Sequence, residues 1–142
     1  MRSEAIAILY LQKAKDARRI YATYVYAKTN CDGFKHEGIT YPSYNMQKEL
    51  LEELYDDCGV TPEMLSYMEA HATGTPVGDP VEVDAIDQAL CLKRTSPLLT
   101  GSVKSNLGHS EPSSSLCQVA NVFIAIETGI ITPTIHFKTP RK

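Results

Sequence analysis

The sequence predicts an α/β protein built in layers, with parallel pairing in its sheet. Two observations lead there. From Ser43 onward, stretches of helical hydrophobic period alternate with short β-branched or aromatic runs, with turns marked by glycine and proline between them. In addition, Val122, Phe123, Ile124, Ala125 and Ile126 form an unbroken apolar run inside a helical stretch. At about 100° per residue these side chains go all the way round the axis. That helix is expected to be buried on every side, in the middle of a multilayered body larger than the few other elements here can build.

Taken in order, Ala5 to Leu11 and Ile20 to Ala27 are rich in β-branched and aromatic residues and flank the polar stretch Lys13 to Arg19, which predicts two antiparallel strands. A loop follows, punctuated by Asp32-Gly33, Gly38 and Pro42. From Ser43, Met46, Leu50, Leu51, Leu54 and Cys58 share one helical face, while Lys48, Glu49, Glu52, Glu53 and Asp56 share the other. Gly59 is the expected stop. Thr61-Pro62 opens a short turn, and Tyr67 to His71 reads as a strand. Asp79-Pro80-Val81-Glu82 carries an N-cap residue, a proline at the first helical position and a capping-box glutamate. The helix it opens runs to about Cys91 and should bury Ala85, Ile86, Ala89 and Leu90. Leu98 to Val103 is the next strand, and Pro112 to Thr128 the long helix that Gly129 and Pro133 close.

Length and charge narrow the class. The 142 residues fit one domain rather than two, and a formal net charge of −3 offers no general attraction for phosphates or anionic lipid. Neither a nucleic-acid nor a membrane role is expected. The longest apolar run, Ala5 to Leu11, falls well short of the roughly 20 residues a spanning helix needs. It also lacks the flanks of a signal peptide, because Glu4 sits in the would-be basic region and Gln12-Lys13 where cleavage should occur. Cys31, Cys58, Cys91 and Cys117 form no C-x-x-C pair and read as reduced cytoplasmic thiols.

The chemistry-bearing residues gather in three loops: 29–34, 71–80 and 101–109, the last two directly after predicted strands. In open α/β sheets functional groups collect beyond the carboxyl ends of strands. His71, Lys104 and His109 all fall there, each in a turn rich in Gly, Ser, Thr or Asn. One histidine at a strand end is commonly structural; two with a lysine at neighbouring strand ends point to a site. His36 and His136 lack that setting and read as surface and strand-packing residues.

At these positions the chain resembles a specific family. EAHATGTPVGDPVEV resembles the "EAHGTGT.VGDP.E" block of β-ketoacyl synthases, GSVKSNLGHSEP their "KSN.GH" block, and TNCDGF the loop that precedes both. Order and spacing agree, and the likeness extends over essentially the whole chain. Glu111-Pro112, the stretch YATYVYAKTNCDGFKHEGITYPS and the ending TPTIHFKTP resemble the animal type I fatty acid synthase more than polyketide synthases.

The resemblance implies a thiolase-like layered αβαβα fold, with the Pro112–Thr128 helix in its middle layer. Residues 1–28 would be the end of the N-terminal half and 29–142 the C-terminal half. It implies decarboxylative condensation of an acyl thioester with malonyl on acyl carrier protein. His71 and His109 would be the N–H donors to the developing oxyanion, with Lys104 as the cation that keeps them neutral. Thr73 and Thr75 would hydrogen-bond the pantetheine arm. No metal and no directly bound cofactor are expected, since substrates arrive on the phosphopantetheine of acyl carrier protein. The implied partners are that carrier, the other synthase domains and, in the full enzyme, a second copy.

The likeness also has gaps. The family's nucleophilic cysteine, in an Ala-Cys-Ser-Ser type motif, has no counterpart. Asp32 follows Cys31, and Cys58 and Cys91 end helices where the dipole is negative, although Lys93 and Arg94 partly offset it at Cys91. Cys117 lies inside the apolar helix. The chain therefore reads as a ketosynthase piece that is inactive alone. A catalytically dead short product that binds acyl groups, pantetheine or a partner is the alternative from another class, and a polyketide synthase fragment a third. Ala72 stands where the family has glycine; a positive φ there would cost about 1–2 kcal/mol and tilt His71.

Overall fold

The computed structural model describes residues 1–139, which fall into two compact units: Val25–Thr100, and Met1–Tyr24 with 101–139. Pro140, the last residue of the ending quoted above, lies outside the described residues.

The first unit is built on α1 (Tyr44–Cys58). Ser43 caps it, its hydroxyl accepting the Met46 N–H at 3.3 Å, and Gly59 ends it in the left-handed conformation at φ 66°. The apolar face read from the sequence is half-buried, while Glu49, Glu52, Glu53 and Asp56 are exposed. A 3₁₀ turn, Pro62–Met64, leads into β1 (Tyr67–Glu69). Next comes α2 (Gly78–Ile86), which runs on as a π-helical turn over Asp87–Cys91 before β2 (Leu99–Gly101). Between them, α2 and the π turn bury Ala85, Ile86 and Leu90, and half-bury Ala89. Ile86 and Leu90 form the core with Ala70, against Leu51 and Tyr55 of α1 and Met68 of β1.

β1 and β2 make a two-stranded sheet. Arg94 ties its approaches together. Its guanidinium donates to the carbonyls of Pro62 (2.6 Å) and Leu65 (2.9 Å) before β1, and of Ser96 (3.2 Å) before β2. Both strands are shorter than the sequence suggests, three residues each.

The second unit holds α3 (Lys104–Leu107), a 3₁₀ turn at Glu111–Ser113 and α4 (Ser114–Thr128), closed by Gly129 at φ 71°. The one-turn α3 was not legible as a helix in the sequence. On α4, Asn121 is buried and Val122, Phe123 and Ala125 are half-buried, but Ile124 and Ile126 are more than half exposed. The all-round apolar helix is thus covered on one flank only. His136 sits exposed in a turn at φ 67°, not in a strand, which corrects its assignment to strand packing.

The two N-terminal strands do not form. A strand is a paired object, and the only β-pairing among residues 1–43 is an isolated parallel bridge from Arg2 to His109. Residues 3–9 nevertheless keep a strand's period of burial: Ser3, Ala5, Ala7 and Leu9 are half-covered, while Ile6, Ile8 and Tyr10 are exposed. Residues 26–28 are tethered to α1 by charge instead. Lys28 Nζ reaches Glu53 (2.7 Å) and Asp57 (2.8 Å), bonds that hold its ammonium well above the usual lysine range, Asp57 contributing most. No helix among the described residues is long and apolar enough to cross a membrane.

Candidate active site

His71 lies two residues beyond β1, and the chain turns after it, where Ala72 adopts φ 35°. Just before that turn the carboxylate of Glu82 accepts the His71 N–H at 2.6 Å and the Ala72 N–H at 2.8 Å, one bond on each oxygen. Two residues on, a positive φ does bring successive N–H groups together. Gly74 has φ 82°, and Asp79 accepts the N–H groups of Gly74 (3.0 Å) and Thr75 (3.2 Å). Both carboxylates come from the start of α2, so one helix end fastens the whole 71–75 loop.

The capping box expected at Asp79 and Glu82 is therefore corrected. The N-cap is Val77, which has no side-chain cap, and the two acids serve the loop instead. Thr75 does the helix's capping. Its Oγ1 accepts the Gly78 N–H at 3.0 Å, leaving its own O–H proton available to donate.

Lys104 and His109 are held in a second place. Lys104 opens α3 and is buried at 7% exposure, and its carbonyl accepts the Gly108 N–H at 2.9 Å. His109 is pinned on its main chain: its N–H donates to Met1 O at 2.8 Å, and its carbonyl accepts the Ser3 N–H at 2.9 Å. Glu111, at φ 51°, sets a carboxylate oxygen 3.7 Å from His109 Nε2, while its other oxygen meets Arg2 at 3.2 Å. That is too far for a hydrogen bond to the imidazole, and Arg2 offsets part of the negative field the histidine feels. His71, Thr73 and Thr75 thus belong to one unit of the fold, Lys104 and His109 to the other.

His71 and Thr73 line a cavity of 350 Å³ with Asp79, Glu82, Gln47 and Leu50. A larger one, 430 Å³, lies between the π turn and β2; Cys91 and Arg94 line it, but none of His71, Thr73, Thr75, Lys104 and His109 does. Reading the sequence missed the loop-fastening of Glu82 and Asp79, the pairing of Arg2 with Glu111, and Gln47 and Leu50 on the cavity wall. The first had a signal, an acid three residues after Asp79, but it was read as a local cap. The others depend on contacts distant in sequence.

All four cysteines are free thiols. Cys91 is raised above the usual thiol range, first by burial and then by Asp87, with Arg94 opposing. Cys117 Sγ packs 3.7 Å from Ser110 Oγ on α4. Among the described residues no group of three or more His, Cys, Asp or Glu is placed to hold a metal.

Residues 21–138 match the model of the β-ketoacyl synthase C-terminal domain. The chain belongs to the β-ketoacyl synthase family. Among its relatives is a fatty acid synthase of the goose Anser anser anser, 47% identical over 91% of this chain and 37% of that protein. A hybrid PKS-NRPS synthetase of Aspergillus niger is 40% identical over 99% of this chain and 4% of its own length. In structure the chain is similar to the ketosynthase from module 6 of the bacillaene synthase of Bacillus subtilis, with a TM-score of 0.85 and 34% identity over 92% of this chain and 25% of that one. The fold is therefore part of a thiolase-like ketosynthase, as the motifs implied. This β-ketoacyl synthase chain spans about a third or less of each of these relatives.

Proposed function

We propose that this chain supplies the decarboxylation side of a ketosynthase that condenses an acyl thioester with malonyl-acyl carrier protein in a fatty acid synthase. The bond from the malonyl α-carbon to its carboxylate breaks, CO₂ leaves, and the electron pair passes into the enolate of the thioester. His71 and His109 donate N–H groups to the enolate oxygen, and Lys104 provides the positive field that keeps both imidazoles neutral. The carbanion then attacks the acyl thioester carbonyl and expels the cysteine thiolate. None of the four cysteines here has the setting of that nucleophile, so the acyl group is carried on a cysteine outside these 142 residues, and the chain is inactive alone. Thr73 and Thr75 hold the pantetheine arm by which acyl carrier protein presents malonyl.

The observation that carries this reading is the domain match over residues 21–138, with the blocks around His71 and His109 in family order. A fatty acid synthase is the more similar of the two relatives named, 47% against 40%, which favours fatty acid over polyketide synthesis. By the same reading the working enzyme is a homodimer with further synthase domains, and four free thiols suit the reducing cytoplasm.

The test is CO₂ release from malonyl-acyl carrier protein by the native polypeptide that carries this chain. His71→Ala or His109→Ala should each lower the rate by about 10²–10³-fold, the usual cost of an oxyanion donor. Unchanged release from either variant would sink the assigned roles.

A further inference from the structure

We infer that Gln47 is a further binding residue of this site, the one that hydrogen-bonds an amide of the pantetheine arm. This rests on the decarboxylation reading above and deepens it. Gln47 lies in the first turn of α1, three and four residues before Leu50 and Leu51. It therefore stands on the apolar stripe of that helix, where a hydrocarbon side chain is expected. It is half-buried, and its backbone N–H donates to the Ser43 carbonyl at 3.2 Å. Its side-chain amide has no hydrogen-bond partner among the described residues. A covered amide on an apolar face normally finds one. Gln47 instead lines the 350 Å³ cavity together with His71 and Thr73, all within the Val25–Thr100 unit.

The rest of the lining selects the part of the substrate that fits. Leu50 and Leu51 give an apolar wall, and Asp79 and Glu82 bring two carboxylates, already engaged with backbone N–H groups of the 71–75 loop. Two negative charges at the wall repel a third. The arm carries its charges at its ends, the malonyl carboxylate at one and a phosphodiester at the other. Between them lie methylenes and two secondary amides, which are neutral. The methylenes suit the leucines. Glutamine offers an acceptor oxygen and two N–H donors, the complement of a secondary amide's own N–H and carbonyl. With the Thr73 hydroxyl in the same cavity, the arm is held from both α1 and the loop after β1.

The experiment compares CO₂ release from two malonyl thioesters by the native polypeptide, as wild type and as Gln47→Met. Methionine keeps the length and helix preference of glutamine and removes its amide. Malonyl-pantetheine carries both amides of the arm, and S-ethyl malonyl thioester carries neither. The ratio of their kcat/KM values should fall about five- to tenfold in Gln47→Met, the loss of one hydrogen bond between neutral groups. Pantetheine alone, titrated by calorimetry, should bind the variant more weakly by the same factor. An unchanged ratio would overturn the inference, whether neither thioester is affected or both lose equally, because Gln47 would then read no amide. If the wild type releases no CO₂ from either thioester, the decarboxylation reading fails on its own. A weaker pantetheine affinity in the variant would then still uphold Gln47 as an amide-binding residue, and an equal affinity would overturn that too.

Discussion

Thr75 Oγ1 accepts the Gly78 N–H at 3.0 Å, and a Cβ placed on Gly78 would stand 2.5 Å from that same oxygen. The glycine allows the threonine to cap the helix. In Gly78→Ala the hydroxyl must rotate away and the bond is lost, but alanine gains about 0.5–1 kcal/mol of helix propensity. Stability should therefore change by less than about 1 kcal/mol. If Thr75 holds the pantetheine arm, KM for malonyl-acyl carrier protein should rise several-fold in the same variant. A urea titration beside steady-state kinetics separates the two effects, and unchanged KM would exclude Thr75 from the arm's binding.

Ala72 at φ 35° is a second local conflict. Ala72→Gly removes about 1–2 kcal/mol of steric strain and returns about 0.4–1 kcal/mol of unfolded-state entropy. The variant should be more stable by about 0.5–1 kcal/mol, seen as a higher urea midpoint at constant slope. A lower midpoint would mean that the φ value carries no strain.

Asp32 gives the fold a pH dependence. The Lys35 ammonium holds its carboxyl below the ordinary value of 3.8; burial opposes it, and the Ser43 N–H at 3.0 Å adds a smaller lowering. Because the folded value is the lower one, its stabilisation is fully present above about pH 4 and is lost as pH falls through the folded value. Asp32→Asn should cost about 1 kcal/mol at neutral pH. The variant and the wild type should converge as the pH falls through the folded value. A constant gap across that range would contradict the assignment.

How much of this was legible in the sequence follows from the range of the forces involved. Both ends of α1 and the end of α4 were readable because Ser43, Gly59 and Gly129 act on their own turns, whereas Pro112, read as the start of α4, falls in the 3₁₀ turn before it. Residues 5–11 and 20–27 have strand composition, but composition cannot supply a partner, and without one Ile6 and Ile8 stay exposed. Asp79 and Glu82 failed differently. The spacing of a capping box and that of two loop clamps is the same, and only the fold decides which N–H groups come within reach. The histidines and the lysine were found because turn-rich motifs after strands are local patterns. The Arg2–Glu111 pair and the Met1–His109 bond join residues over a hundred positions apart and left no trace in either local sequence.

The two glycines beside the assigned histidines make the last comparison. Gly74 and Gly108 share a positive φ, 82° and 80°, but nothing lies within 4 Å of a Cβ on Gly74. A Cβ on Gly108 would meet the Met1 carbonyl oxygen at 3.0 Å and Ser3 Cβ at 3.1 Å, and its ψ of −178° puts it in a region open essentially to glycine alone. Gly74→Ala should cost about 1 kcal/mol. Gly108→Ala should cost about 2–3 kcal/mol, since the segment carrying Met1 and Ser3 must also move aside. That movement breaks the bridge to His109, so amide exchange in residues 1–9 should rise in Gly108→Ala and stay unchanged in Gly74→Ala. Equal losses of stability with no exchange difference would show that φ alone sets the cost, and that the N-terminal segment does not hold His109.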